Sequence, residues 1–246
     1  LLKRPRQRPG AEMSGIKYDF HMHSALSPCG DMDMTPNNIV NMAKLIGLDA
    51  IAVTDHNSIG NVRSAMKVGE SVGLKVVPGM EVETNEEVHI LTLYPDISAA
   101  EYVAEIVYSR LPDIPNKPEI FGAQAFMDEA DNVVGYEDKT LISSADISIN
   151  ELFGYVEEAG GIFIPAHVDR HSYSVLTNLG FVPDDIDIRY IEVSRRTTDV
   201  AAYLESRKDL KRYGILRNSD AHYLEDIGEP DEDLPYDIFK ILFRGA

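Results

Sequence analysis

Short runs rich in β-branched and aromatic residues alternate along the chain with longer stretches in which apolar residues recur every three to four positions. The short runs, at 18–23, 50–56, 75–78, 88–94, 162–167, 190–193 and 216–222, read as strands, because each is brief and bounded by polar, Gly or Pro residues. The periodic stretches at 38–46, 61–72, 98–110, 149–159 and 199–213 read as helices. Thr35-Pro36 supplies a capping hydroxyl followed by proline in the first turn, and Gly47 and Gly73 stop the first two helices. Strand then helix, repeated, predicts an α/β fold of six or seven strands curled into a barrel. Residues 111–148 break the rhythm. Pro112, Pro115 and Pro118 precede a helix-like patch over 123–130, and the acids Asp128, Glu129 and Asp131 read as a solvated helix face. A connection this long predicts an insertion that acts as a lid or faces substrate.

Length and composition narrow the picture. A chain of 246 residues can bury one sizeable core, and one domain is expected over 13–246. Residues 1–12, basic through Lys3, Arg4, Arg6 and Arg8 but without an apolar core, read as a leader or scar ahead of Met13. No apolar run approaches the roughly 18 residues that span a bilayer, so no membrane partner is expected. The single cysteine, Cys29, excludes an internal disulfide framework, and a cytoplasmic protein is expected. The net charge of −18 repels polyphosphate backbones, which argues against long nucleic acid as a partner.

Histidines carry the chemistry. Six of the seven stand at strand ends: His21, His23, His56, His89, His167 and His222, interspersed with Asp55, Glu81 and Asp220. In His21-x-His23, alternate strand residues point the same way, so both imidazoles can reach one ion. Ligands from several strand ends converging on one point are the mark of a metal site at a barrel mouth. Imidazoles mixed with carboxylates suit Zn²⁺, Mn²⁺ or Fe²⁺ better than Ca²⁺. The candidates exceed the needs of one ion, so two or three divalent ions bridged by a carboxylate are expected.

In order, His21-Met22-His23, Thr54-Asp55-His56-Asn57, Gly79-Met80-Glu81, Val88-His89-Ile90-Leu91, Ala166-His167 and Ser219-Asp220-Ala221-His222 resemble the motifs of the PHP (polymerase and histidinol phosphatase) family. The resemblance runs from about Tyr18 to His222. It implies a distorted (β/α)7 TIM-like barrel with one insertion, a three-ion site and hydrolysis of phosphoesters by a metal-bound hydroxide. Carried onto this chain, it gives His21, His23, Glu81 and Asp220 to one ion, and makes Glu81 the bridge to a second held by His89 and His167. A third ion takes His56, His222 and Asp31, with Asp33 as the alternative to Asp31. Asp55 is expected behind these, orienting a ligand. Asp220 is expected to manage the nucleophile's proton. Arg170 and His171, on the loop after His167, and Arg195 and Arg196, after the next strand, are expected to grip phosphate or protonate the leaving oxygen.

Plainer readings stand beside these. A single strand-end histidine is more often a hydrogen-bonded structural residue, and His89 has the weakest individual claim. Cys29 reads as a small packed turn residue rather than a thiolate ligand. A non-catalytic metal-binding or regulatory module is disfavoured by the complete ligand set. An amidohydrolase-like C–N hydrolase is disfavoured because Glu81, not a carboxylated lysine, supplies the bridge. The expected substrate is a small phosphomonoester, a nucleotide or the end of a short oligonucleotide.

Overall fold

The computed structural model describes residues 15–228 and 232–243, so the leader and Met13 lie outside the described residues. Strands β1 (Tyr18–Asp19), β2 (Ala50–Val53) and β3 (Lys75–Glu83) lie side by side and parallel. Parallel neighbours need a crossover, and α1 (Pro36–Leu45) and α2 (Val62–Val72) provide the two. Thr35 Oγ1 accepts the Asn38 N–H at 3.1 Å and Pro36 opens α1, as the sequence predicts. Ile39, Val40 and Ala43 of α1 and Ala65 and Val68 of α2 share one core with Ile51, Val53 and Val76.

Between β3 and β4 (His89–Leu93) lie only residues 84–88, too few for a crossover of about a dozen. β4 therefore returns antiparallel, with Glu81 opposite Leu91 and Glu83 opposite His89. After α3 (Ile97–Ser109) the inserted segment holds α4 (Pro118–Phe121) and a hairpin of β5 (Ala125–Met127) and β6 (Val133–Tyr136). The hairpin replaces the helix expected over 123–130, and the acid cluster forms its turn. Asp128 Oδ1 accepts the N–H groups of Ala130 and Asn132, both at 2.9 Å, and Asp131 sits at φ 62°. A side chain that satisfies its own following backbone in this way competes with a helix.

A Ser148–Glu151 capping box opens α5 (Ile149–Glu158), and β7 (Ile162–Pro165) then pairs antiparallel with β4, completing a sheet in the order β1-β2-β3-β4-β7. α6 (Val175–Asn178) precedes β8 (Tyr190–Glu192). The single helix expected over 199–213 is split into α7 (Val200–Ser206) and a 3₁₀ turn, Lys208–Arg212, by the non-helical backbone of Arg207 (φ −125°, ψ 68°). β9 (Gly214–Leu216) pairs parallel with β8, and α8 (Tyr236–Leu242) ends the described chain. The β8–β9 pair stands between the two edges of the sheet. The Val168 N–H donates to Glu192 O on the β7 side, and the His23 N–H to Ala221 O on the β1 side, both at 2.9 Å. The strand–helix rhythm of a regular barrel is thus broken at the β3–β4 hairpin and at the insertion. Among the described residues, no helix is long and apolar enough to cross a membrane.

Candidate metal centre

The curled sheet brings its chemistry to one edge. β1, β2 and β7 run in one sense, so the residues that follow them, His21, His23, Asp55, His56 and His167, emerge together. β3 overruns its neighbours and carries Glu81 mid-strand. β4 runs the opposite way, so its first residue, His89, reaches the same edge.

Glu81, 1% exposed, is the hub. Its Oε1 stands 3.2 Å from His21 Nε2, 3.0 Å from His89 Nδ1 and 3.2 Å from His167 Nε2. Its Oε2 stands 3.4 Å from His23 Nε2 and 3.1 Å from His56 Nδ1. Asp220 Oδ1 lies 3.4 Å from His21 Nε2, 3.2 Å from His23 Nε2 and 3.7 Å from His222 Nδ1. Five imidazoles surround one carboxylate, and two of them share a second.

Hydrogen bonds behind the histidines set which nitrogen faces inward. Glu192, fully buried, accepts from His21 Nδ1 at 2.9 Å, which turns the Nε2 lone pair to the centre. Ser27 Oγ donates to Asp55 Oδ1 at 2.7 Å and so accepts from His23 Nδ1 at 3.0 Å, leaving His23 Nε2 inward. His222 Nδ1 donates to its neighbour's carbonyl, Asp220 O, at 2.8 Å. Asp55 therefore stands behind His23, joined to it through Ser27, and also accepts from Ser24. Glu192 is a contact that sequence reasoning missed. Its signal is one acid inside the apolar run Ile191-Glu192-Val193.

Electrostatics follow the same geometry. Burial opposes charge on His21, but Glu192, Glu81 and Asp220 outweigh it and raise the imidazole well above its ordinary range. His89 is raised to about 9 by Glu81 and Glu83 against the same burial. Burial also opposes ionisation of Glu81 and Asp220, yet the surrounding histidines pull both well below the carboxylate range. Burial lowers His56, and with His23 it lowers His222 to about 4.

The arrangement fits divalent ions. His21 Nε2, His23 Nε2 and His56 Nδ1 are buried with no hydrogen-bond partner, which is uncommon for buried polar atoms. A carboxylate offers about four acceptor directions, too few for five imidazoles plus charge balance. Among the described residues, three groups place one donor atom from each member within 4.8 Å of all the others: His21, His23 and Asp220; His56, Glu81 and His89; and His23, Cys29, His56 and His222. His167 and Asp220 also hold left-handed backbone, φ 31° and 53°, where each non-glycine residue costs about 1–3 kcal/mol.

Asp31 is not among these groups. Its Oδ1 accepts the Asp33 N–H at 2.8 Å, closing a local turn, and Asp33 is exposed. Cys29, not Asp31, falls in the group that contains His56 and His222, and it is exposed rather than packed. A cavity of about 600 Å³ opens beside the centre, lined by Cys29, Arg170, Arg195, Arg196, Asp220 and His222 among others. Arg170 ion-pairs with Asp220 Oδ2, on the side away from the histidines. Arg195 lies 3.5 Å from buried Asp19, and Arg196 is exposed at the rim. His171 faces solvent and is not part of the cavity wall, whereas Tyr173, two residues on, stacks on His89 at 4.7 Å. No residue of 111–148 lines this cavity. The insertion packs behind the loop that follows His23, with Ala125 N–H on Ala25 O at 2.9 Å and Asn61 Nδ2 bridging Ser24 Oγ and Ala125 O.

The family model described as the PHP domain matches residues 19–165, so His167, Asp220 and His222 lie beyond the match. A 5'-3' exoribonuclease of Haemophilus influenzae is 34% identical over 80 residues, 31% of this chain and 28% of that protein. A phosphoribosyl 1,2-cyclic phosphate 1,2-diphosphodiesterase of Eggerthella lenta is 34% identical over 80 residues, 30% of this chain and 29% of that protein. The match thus spans less than a third of either relative's length. The lesion-specific endonuclease PfuEndoQ from Pyrococcus furiosus shares the fold with a TM-score of 0.65 at 19% identity, over 94% of this chain and 56% of that one. A chain of Bifidobacterium adolescentis assigned as a metal-dependent phosphoesterase superposes with a TM-score of 0.61 at 20% identity, over 94% of this chain and 97% of that one.

Proposed function

The chain belongs to the PHP domain family, and we propose that it is a metal-dependent phosphoesterase acting on a small phosphomonoester, a nucleotide or the end of a short oligonucleotide. One observation carries the reading: a buried carboxylate ringed by five imidazoles adjoins Asp220, which with His222 and three arginines lines an open cavity, in a chain of net charge −18. Cations gathered there against the overall charge suit an anionic substrate. His21, His23, Glu81 and Asp220 would hold one ion, Glu81, His89 and His167 a second, and His56 and His222 part of a third. Bound divalent ions would supply Lewis acidity at the phosphoryl group and a water acidified toward neutrality.

The chain's own groups do the rest. Asp220 presents Oδ1 to the ligand histidines and Oδ2 to Arg170, so it can take a proton on one side while holding the arginine on the other. Arg170 and Arg196 reach phosphoryl oxygens in bidentate fashion. Glu192 and Asp55 keep the imidazoles in the tautomer that points inward. We read the sheet with its β8–β9 pair as a distorted (β/α)7 barrel, supported by hydrogen bonds that join the pair to both edges.

A nuclease reading draws support from relatives named as exoribonucleases and a fold neighbour named as a lesion-specific endonuclease. Comparison of kcat/KM for a nucleoside phosphate, a five-residue oligonucleotide and a long polymer, at two salt concentrations with Mn²⁺ or Zn²⁺, separates the two. The small-substrate reading expects the first two to be preferred with weak salt dependence. Preference for the polymer with steep salt dependence would overturn it.

A further inference from the structure

The loop from Ser24 to Gly30 is held more firmly than an exposed turn requires. Asp55 accepts from Ser24 N–H at 2.7 Å, Ser24 Oγ at 2.6 Å, Ser27 N–H at 3.2 Å and Ser27 Oγ at 2.7 Å. Gly30 packs so tightly that a Cβ there would lie 2.3 Å from the Ser24 carbonyl oxygen. The Asp31 N–H then donates to His222 O at 2.9 Å, tying the loop to the far ligand segment. Gly122 of the insertion presses on the same loop, since a Cβ on it would meet Pro28 O at 2.1 Å. These contacts fix Cys29 beside His222 on the cavity wall.

We propose that Cys29 supplies a thiolate to a divalent ion shared with His56 and His222, making this position of the centre selective for sulfur-accepting ions such as Zn²⁺ or Co²⁺ over Mn²⁺. The proposal rests on the metal-dependent reading above and deepens it. Cys29, His23, His56 and His222 place one donor atom each within 4.8 Å of all the others. The second, independent observation is that two residues of this group, His23 and His56, 0% and 6% exposed, each carry a buried ring nitrogen with no hydrogen-bond partner, on the side of the rings that faces the Glu81 carboxylate. The rings of His23 and His222 stack at 4.4 Å, and those of His23 and His56 approach to 4.6 Å, so the three imidazoles are gathered together. Asp31, the oxygen donor that the family resemblance suggested, has its carboxylate turned into its own loop. As the sulfur–metal bond forms, the thiol proton leaves to solvent, and no oxidant or reductant is needed. Two imidazoles and a thiolate are three protein donors, the number found at open rather than closed zinc sites. Sulfur at this position disfavours Mn²⁺ and Mg²⁺, which prefer oxygen.

The test uses the single thiol of the chain in the native, full-length protein. With metal removed, Cys29 should react with a thiol reagent at alkaline pH, since burial and the nearby carboxylates of Glu81, Asp55 and Asp220 push the free thiol up. Saturating Zn²⁺ should slow the reaction by about tenfold or more, because a coordinated thiolate is no longer a free nucleophile. Co²⁺-loaded protein should show a sulfur-to-cobalt charge-transfer band that Cys29→Ser removes. Cys29→Asp should keep the ion count, lose the band and shift preference toward Mn²⁺. His222→Ala should restore thiol reactivity in the presence of Zn²⁺. A thiol equally reactive with and without saturating Zn²⁺, or a Co²⁺ spectrum unchanged in Cys29→Ser, overturns the proposal. Neither readout depends on turnover. Phosphoester hydrolysis with an unprotected thiol refutes the thiolate alone, and a protected thiol without hydrolysis refutes the phosphoesterase reading alone.

Discussion

Glu192→Gln tests whether the centre depends on the residues behind its ligands. Glu192 is fully buried and every partner it has is a donor. Oε1 accepts the His167 N–H at 3.1 Å and His21 Nδ1 at 3.2 Å, and Oε2 accepts His21 Nδ1 at 2.9 Å and Asn218 Nδ2 at 2.8 Å. Glutamine keeps the volume but must point an NH₂ at a donor in either orientation, at the His167 N–H or at the Asn218 amide. One charge-assisted hydrogen bond is lost and one buried donor left unmet, together about 1.5–3 kcal/mol. If that energy appears in the orientation of His21, divalent-ion affinity falls roughly 10–100-fold. A counter-effect acts on the same atom. Glu192 raises His21, so its removal also lessens the competition between proton and metal. The net loss should therefore be smaller near pH 6 and grow as pH rises. The assay is competition with a chelator of known affinity at three pH values, with circular dichroism confirming the fold. Affinity within about threefold of wild type at the highest pH, less than the ~1.4 kcal/mol of a tenfold change, would refute the claim that Glu192 positions His21 for metal.

Glu81→Ala should abolish hydrolysis and lower metal content by more than one ion, because both its oxygens face imidazoles; loss of a single ion by elemental analysis would remove its bridging role. Arg196→Ala, and the combined Arg170, Arg195 and Arg196 alanine variant, should cut kcat/KM by about tenfold or more with metal content unchanged, and a combined variant within about threefold of wild type would exclude the phosphate clamp. Loading the metal-free protein at pH 7 should release protons, since His89, raised to about 9, is protonated there while His222, lowered to about 4, is not. The release should fade as pH rises through about 9, and an indicator titration showing none at pH 7 would contradict the electrostatics. The sign for stability runs the same way. The raised His89 stabilises the metal-free protein fully below about pH 6.5 and loses that contribution as pH rises through about 9, so thermal midpoints after chelation should drop over that range.

The clustering of the histidines was legible because each terminates or opens an apolar run, and a run's end has a fixed place at the edge of a sheet whatever the details of pairing. The antiparallel return of β4 was not read, because the strand expected at 75–78 runs on to Glu83, and only that extension shortens the connection to residues 84–88. What local pattern could not reveal depends on contacts distant in sequence. Glu192 looks like an ordinary polar residue on a short strand until His21, 171 positions away, is placed against it. Counting back from the Thr35-Pro36 cap favours Asp31, with Asp33 as the alternative, and takes no account of how the intervening loop folds. The loop instead folds back on itself, drawn in by Asp55 and closed through the cramped Gly30. The same long-range control explains the insertion. Its prolines mark where secondary structure stops, but only the hydrogen bonds of Asn61 to Ser24, Ala125 and Met127 show that it packs behind the loop that follows His23. An insertion that buttresses the loop carrying Cys29 can influence the third metal position without touching substrate. The insertion's effect on the chemistry should therefore appear first in metal occupancy and only through it in rate.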